Sequence, residues 1–128
     1  MKNADLRPIT ASRPLVAVVD DDESVRESLP CLLKELGFEV RAFSSAEAFL
    51  ASDDIELTKC LILDVAMPNM SGLDLLQNLE ARGRKIPTIL ITAQRNEVIT
   101  HSGAVGCLLK PFSESALLDA LNVALGEF

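Results

Sequence analysis

Short apolar runs alternate along the chain with segments whose apolar residues recur at helical spacing. Continuous apolar runs, rich in Val, Ile and Leu, begin at Leu15, Cys60 and Thr88 and read LVAVV, CLIL and TILI. Such runs are typical of strands that are covered on both faces of a parallel sheet. The segment EVRAF, from Glu39 to Phe43, alternates polar and apolar residues instead. That alternation predicts an edge strand.

Amphipathic helices are predicted between the strands. The second helix is predicted to begin at a capping box formed by Ser44 and Glu47, and the third to run from about Ser71 to Gly83. The resulting order, βαβαβαβαβα, is the pattern of a doubly wound parallel α/β sheet with helices on both faces. Apolar residues at helical spacing predict the inward faces of the first and last helices: Val25, Leu29, Leu32, Leu33 and Leu36 in the first, and Leu117, Leu118, Leu121, Ala124 and Leu125 in the last.

Polar residues follow the apolar runs at the point where each predicted strand ends. Asp20 and Asp21 follow the first run, Asp64 follows CLIL, Thr92 follows TILI, and Lys110 follows a last run, VGCLL. Because ligands of such sheets bind beyond the carboxyl ends of the strands, we expect these side chains to converge. Three carboxylates suit a magnesium ion, and a hydroxyl and an ammonium suit phosphoryl oxygens. The sequence therefore predicts a site for Mg²⁺ and a phosphoryl group.

Length and composition favour one globular domain in the cytoplasm. The chain has 128 residues with 48% hydrophobic content, and we expect residues 1–14 to form a flexible tail and residues 15–128 to form the domain. A net charge of −7 with no extended basic cluster argues against direct nucleic-acid binding. The chain shows no signal-peptide core and no membrane-length apolar stretch, so we expect no membrane association. Its three widely spaced cysteines are expected to be reduced thiols.

Four motifs together resemble the receiver domain of two-component response regulators. They are VVDDDESVRESL, LILDVAMPNMSGLDLL, ITA and GAVGCLLKPF, and the resemblance extends from Leu15 to Leu125. It implies a five-stranded, flavodoxin-like sheet of order 2-1-3-4-5. It also implies a switch that catalyses only its own phosphorylation and dephosphorylation, and not an enzyme with a separate substrate. The implied phosphodonor is a sensor histidine kinase or a phosphotransfer protein, and the implied output is a change of shape that acts on an unspecified downstream protein.

The resemblance assigns a role to each polar residue at the strand ends. Asp64 corresponds to the phosphoacceptor, Thr92 to the hydroxyl that closes on the phosphoryl group, and Lys110 to the cation that pairs with it. A carboxylate can form an acyl phosphate when nearby cations screen its approach to an anionic donor. The implied ligands of Mg²⁺ are Asp21 directly, Asp20 directly or through water, Asp64, and the backbone carbonyl of Ala66.

Two other interpretations are compatible with parts of the sequence. The run VAVVDDD also fits a haloacid-dehalogenase-like phosphatase, with Asp20 as nucleophile and Asp22 as acid/base. That family needs a late acidic motif, which the helical segment after Lys110 does not provide, and Asp22 also suits the N-cap of the first helix. The other interpretation is a receiver-like scaffold that binds partners without phosphorylation. The intact set of acids argues against the scaffold.

The sequence departs from the usual receiver pattern between the fourth and fifth strands. The stretch from Thr92 to Lys110 is about one helical turn short, which predicts a shortened fourth helix over Asn96–Ser102. Cys107 stands where many members carry a Tyr or Phe that rotates on activation, so we expect the movement on activation to stay local. The resemblance implies that Ala66 and Gln94, two residues past Asp64 and Thr92, border the path of the hydrolytic water. No output domain follows the last helix, so we expect either a stand-alone regulator or part of a longer protein.

Overall fold

In the described residues, strands and helices alternate in the predicted order as far as the fourth strand, and a fifth strand and a C-terminal helix follow. The computed structural model describes residues 13–93 and 104–126. Its strands are β1 (Leu15–Val19), β2 (Glu39–Phe43), β3 (Thr58–Asp64), β4 (Thr88–Thr92) and β5 (Gly106–Leu109). Its helices are α1 (Glu23–Glu35), α2 (Ala46–Leu50), α3 (Gly72–Ala81) and a C-terminal helix (Glu114–Leu125), with a 3₁₀ turn at Ile55–Leu57.

The five strands form one sheet of order β2-β1-β3-β4-β5, and every neighbouring pair is parallel. This order confirms the doubly wound, flavodoxin-like fold and the edge position of the EVRAF strand. In the register of the sheet, Asp64 lies opposite Ile91, and Thr92 lies opposite Leu109. The carboxyl ends of the strands therefore meet at one edge, where the predicted site residues follow them.

Helices cover both faces of the sheet and bury two separate apolar layers. Successive side chains of a strand point to opposite faces, which is why the central strands are apolar throughout. The first layer contains Val16 and Val18 of β1, Leu29 and Leu33 of α1, and Leu117 and Leu121 of the C-terminal helix. The second contains Ala17 and Val19 of β1, Phe49 of α2, and Leu75 and Leu79 of α3.

Serine side chains cap the starts of three helices, and Ser113 does so for the C-terminal helix. Ser71 forms a capping box at the start of α3, which confirms the predicted start of that helix. The predicted capping box of Ser44 and Glu47 is wrong, because the N-cap of α2 is Ser45, whose hydroxyl accepts a backbone N–H of the helix at 3.0 Å. Both serines carry a suitable hydroxyl. The helix that starts after the second serine buries Ala46 and Phe49 in the second apolar layer.

Two features predicted from the sequence fall wholly or largely outside the described residues. The predicted shortened fourth helix, Asn96–Ser102, lies there, as does the tail up to residue 12. Directly before β1, the Pro14 carbonyl accepts the Glu39 N–H at 3.0 Å, so this part of the chain joins the edge strand. Among the described residues, no helix is long and apolar enough to cross a membrane.

The three cysteines are free thiols in different environments. Cys60 is buried in β3, and burial raises the pKa of its thiol to about 12. Cys31 is exposed and Cys107 is half-buried. Because a thiol reacts as its thiolate, Cys60 is chemically inert at neutral pH.

Candidate functional site

Three aspartates form an acidic cluster at the carboxyl edge of the sheet. Asp20 and Asp21 follow β1, and Asp64 is the last residue of β3. One carboxylate oxygen from each residue lies within 4.8 Å of the other two. Asp20 is fully buried and Asp64 is 5% exposed, whereas Asp21 is exposed. The structure therefore brings together the three acids that the sequence predicts for one site, with its open side at Asp21.

Lys110 lies beside the two buried acids. Its Nζ is 3.0 Å from Asp20 Oδ2 and 3.8 Å from Asp64 Oδ1. The Lys110 N–H donates to the Thr92 carbonyl at 2.8 Å, and the peptide bond between Lys110 and Pro111 is cis. The sequence predicts Lys110 as the partner of a phosphoryl group. Of the two carboxylates, however, the nearer one belongs to Asp20 and not to the predicted phosphoacceptor.

Burial and like charge disfavour ionisation of Asp64. Loss of solvation, followed by the charge of Asp20, raises the pKa of this carboxyl from 3.8 to about 7. The Lys110 ammonium and the Ala66 N–H act in the opposite direction without cancelling it. Burial also acts to lower the pKa of Lys110, but the hydrogen bond and charge of Asp20 outweigh burial and raise that pKa. Lys110 therefore stays charged, while Asp64 titrates near neutral pH.

Hydrogen bonds hold Asp20 from three directions. Its N–H donates to the Phe43 carbonyl at 3.1 Å, and its Oδ1 accepts the Asp22 N–H at 2.9 Å. Its carbonyl oxygen accepts a hydrogen bond from Arg26 Nη1 at 2.9 Å. Its buried Oδ2 pairs with the Lys110 ammonium at 3.0 Å and has no other partner among the described residues. Oδ2 is therefore the Asp20 atom with capacity left for a cation or a water.

The sequence interpretation did not identify Arg26 as part of this site. Arg26 lies six positions after Asp20, in the first turn of α1. Side chains of a helix lean toward its N-terminus, so a long side chain in the first turn can reach the preceding loop. From the sequence, this rule was the available indication that Arg26 reaches the loop that carries Asp20.

Asp22 is the N-cap of α1. Its Oδ1 accepts the N–H and the hydroxyl of Ser24, at 2.9 and 2.8 Å. These two bonds lower the pKa of the Asp22 carboxyl. A carboxylate held ionised in this way is poorly suited to acid/base catalysis. The capping prediction is confirmed, and the phosphatase interpretation, which also needs the fully buried Asp20 as nucleophile, is disfavoured.

The loop from β3 to α3 returns close to Asp64. A Cβ on Gly72 would lie 2.3 Å from the Asp64 carbonyl oxygen, so glycine is required at this approach. The Gly72 N–H donates to the Val65 carbonyl at 3.0 Å, and the Ala66 N–H approaches Asp64 Oδ1 at 3.4 Å. The Ala66 N–H therefore lies next to the acidic cluster, and the role of its carbonyl as a metal ligand stays a prediction.

Thr92 ends β4 beside the other site residues and is 5% exposed. Its carbonyl accepts the Lys110 N–H, which joins the ends of β4 and β5. Cys107 packs against the second apolar layer. Gln94, predicted to border the water path, lies outside the described residues.

An open apolar groove lies next to the cluster, between α1 and the segment that follows β5. Its volume is about 650 Å³. It is lined by Val25, Ser28, Leu29 and Leu32 of α1 and by Lys110, Pro111 and Phe112. An apolar surface therefore adjoins the charged site at Lys110.

The sequence matches the response regulator receiver domain over residues 16–122. The chain belongs to the response regulator receiver family. The transcriptional regulatory protein TdiR of Thauera aromatica is 43% identical to the receiver over 120 residues, which cover 91% of this chain and 53% of TdiR. The structure of the response regulator StyR has a TM-score of 0.82 at 44% identity and is matched over 90% of this chain and 60% of StyR. The structure of FixJ-N has a TM-score of 0.79 at 36% identity, and the match covers 90% of this chain and 95% of FixJ-N.

These similarities establish the receiver as a component of two-component signalling. The match covers more than four fifths of the chain and includes every residue of the acidic cluster and Lys110. The chain spans about half the length of the curated relatives that it matches.

Proposed function

We propose that Asp64 of the receiver accepts a phosphoryl group from a phosphohistidine on a sensor kinase or a phosphotransfer protein. The observation that carries the proposal is the buried acidic cluster next to the Lys110 ammonium, 3.8 Å from Asp64 Oδ1. The donor and the accepting carboxylate are both anionic, so the transfer needs positive charge between them. Lys110 supplies one such charge at the nucleophile.

The acidic cluster also fits a divalent cation. Hard cations such as Mg²⁺ prefer carboxylate and carbonyl oxygens, and the three carboxylates lie within 4.8 Å of one another. Among the described residues the buried Asp20 Oδ2 is paired with the Lys110 ammonium alone, so its remaining lone pair is available to a cation or to a bound water. When bound, Mg²⁺ would neutralise negative charge on the phosphoryl oxygens during transfer. We assign as ligands Asp21, Asp64, the Ala66 carbonyl, and Asp20 directly or through water.

In the proposed reaction, an Asp64 carboxylate oxygen attacks phosphorus in line with the imidazole nitrogen. The O–P bond forms as the P–N bond breaks, and the electron pair of the P–N bond passes to that nitrogen. The imidazole leaves neutral because its other nitrogen carries a proton. Asp64 attacks as the ionised form, which positive charge beside it favours over the neutral form.

The phosphorylated receiver acts as a switch and not as an enzyme with a separate substrate. The new phosphoryl group brings charge and acceptor oxygens to the edge of the sheet where Thr92 and Lys110 lie. In this proposal the Thr92 hydroxyl and the Lys110 ammonium move onto those oxygens, and the surface beyond β4 and β5 repacks. A downstream protein partner reads the new surface. The apolar groove beside Lys110 offers the donor protein a surface next to the site.

Intact-mass measurement after incubation with acetyl phosphate and Mg²⁺ tests the proposal. We expect the wild type to gain one phosphoryl group and Asp64→Asn to gain none. Asp53→Asn removes an exposed carboxylate outside the cluster, and this matched control should react like the wild type. Repeated turnover of the phosphodonor without a stable mass gain would favour a phosphatase. Absence of any reaction in the wild type would favour a scaffold.

A further inference from the structure

We propose that Arg26 is a positioning residue for the metal site, because its guanidinium holds the peptide group that joins Asp20 and Asp21. This inference rests on the proposed function. Arg26 Nη1 donates to the Asp20 carbonyl oxygen at 2.9 Å. A peptide group is planar, so fixing this carbonyl also fixes the N–H through which Asp21 begins.

Asp21 has no anchor of its own in the described part of the chain. No hydrogen bond or ion pair engages its carboxylate there, and the residue is exposed. Asp20, by contrast, is held through its N–H and through Oδ1. The direction of the Asp21 side chain therefore depends on the backbone before it, which is the group that Arg26 holds.

Helix α1 gives Arg26 a fixed base. The Arg26 N–H donates to the Asp22 carbonyl at 3.1 Å in the first turn. One turn further along, Leu29 is buried in the first apolar layer and anchors the helix on the sheet. The guanidinium therefore connects the packed helix to the loop that carries two of the proposed ligands. Groups that orient metal ligands in this way commonly change metal affinity by roughly 10–100-fold.

Positioning and simple charge predict opposite effects of removing Arg26. Arg26 is a cation next to a proposed cation site. If it acted through its charge only, removing it would relieve repulsion and strengthen Mg²⁺ binding. If it holds the Asp20–Asp21 peptide, removing it loosens Asp21 and weakens Mg²⁺ binding. The sign of the change therefore distinguishes the two roles.

A Mg²⁺ titration followed by backbone-amide NMR, with folding checked by circular dichroism, tests the inference. We expect Arg26→Gln to weaken Mg²⁺ binding about tenfold, with Arg26→Lys, which keeps the charge and a donor, in between. Lys34→Gln removes the same charge from the last turn of α1 and should bind Mg²⁺ like the wild type. At saturating Mg²⁺ the phosphorylation rate of Arg26→Gln from acetyl phosphate should return close to that of the wild type, because the role is exerted through the ligand.

Unchanged or tighter Mg²⁺ binding by Arg26→Gln would overturn the positioning role. If Arg26→Gln does not fold, Arg26→Lys decides: weaker binding at unchanged charge supports the role, and unchanged or tighter binding overturns it. A wild type that neither binds Mg²⁺ nor gains a phosphoryl group would instead overturn the proposed function, and this inference with it.

Discussion

Replacing Asp64 by Asn removes a carboxylate whose ionisation the fold disfavours. Asp64 is 5% exposed, and burial, followed by the charge of Asp20, raises its pKa from 3.8 to about 7. Asn has nearly the same shape and keeps an oxygen that can accept the Ala66 N–H. The substitution therefore changes the charge with little change in packing. Without Mg²⁺, we expect Asp64→Asn to be more stable than the wild type at neutral and alkaline pH.

The sign and size of the effect follow from proton linkage. Because the folded pKa lies above the unfolded value, the unfolded state releases this proton first as the pH rises. The folded wild type therefore loses stability between the unfolded pKa of 3.8 and the folded pKa of about 7, and the loss is complete above that range. The full pKa shift corresponds to about 4 kcal/mol in the free energy of unfolding. Because solvent at the Asp21 side screens the charge, we expect roughly half of this loss of stability.

Urea unfolding at about pH 5 and about pH 8, with a chelator present, measures the effect. We expect the stability advantage of Asp64→Asn to grow by roughly 1–2 kcal/mol between these two values, or by about 3–6 °C in a thermal melt. Other titrating groups are shared by both proteins and cancel in the difference. Asp53→Asn, in an exposed position, should show no such growth. An advantage that is equal at both pH values, or a less stable variant at pH 8, would refute the reasoning.

Variants at three other positions test the metal ligands, the loop after β3 and the switch. Mg²⁺ at about ten times its dissociation constant should stabilise the wild type by about 1.4 kcal/mol in thermal melts. Asp21→Asn should lose most of this gain in stability. An equal gain in the variant and the wild type would contradict Asp21 as a ligand. Gly72→Ala should cost roughly 1–3 kcal/mol in urea unfolding because its Cβ would lie 2.3 Å from the Asp64 carbonyl oxygen. Gly106→Ala, whose Cβ would find its nearest neighbour at 3.8 Å, is the control, and equal losses in both variants would count against the close approach. Thr92→Ala should still gain a phosphoryl group. In the wild type, beryllofluoride is expected to slow hydrogen exchange around Asp64, and Thr92→Ala should lose this protection. Full retention of the protection in the variant would exclude Thr92 from the switch.

The sequence by itself determined the order of the elements and the polar residues at the strand ends. Periodicity is local, so continuous apolar runs and helical spacing are readable without knowledge of contacts. The edge strand from Glu39 to Phe43 and the N-cap at Asp22 were predicted on this basis and are confirmed. The meeting of Asp20, Asp21 and Asp64 was predictable as well, because parallel strands bring their carboxyl ends to one edge.

Only the tertiary structure decided how these groups are arranged within the site. The nearer pairing of Lys110 with Asp20, the near-neutral titration of Asp64 and the hydrogen bond from Arg26 all depend on distances and burial between separate elements. The cap at Ser45 was also visible only at this level, because two adjacent serines offer the same hydroxyl and the sequence does not distinguish them. Desolvation and Coulomb energies change steeply with separation over a few ångströms, whereas the sequence specifies only which residues approach the same edge.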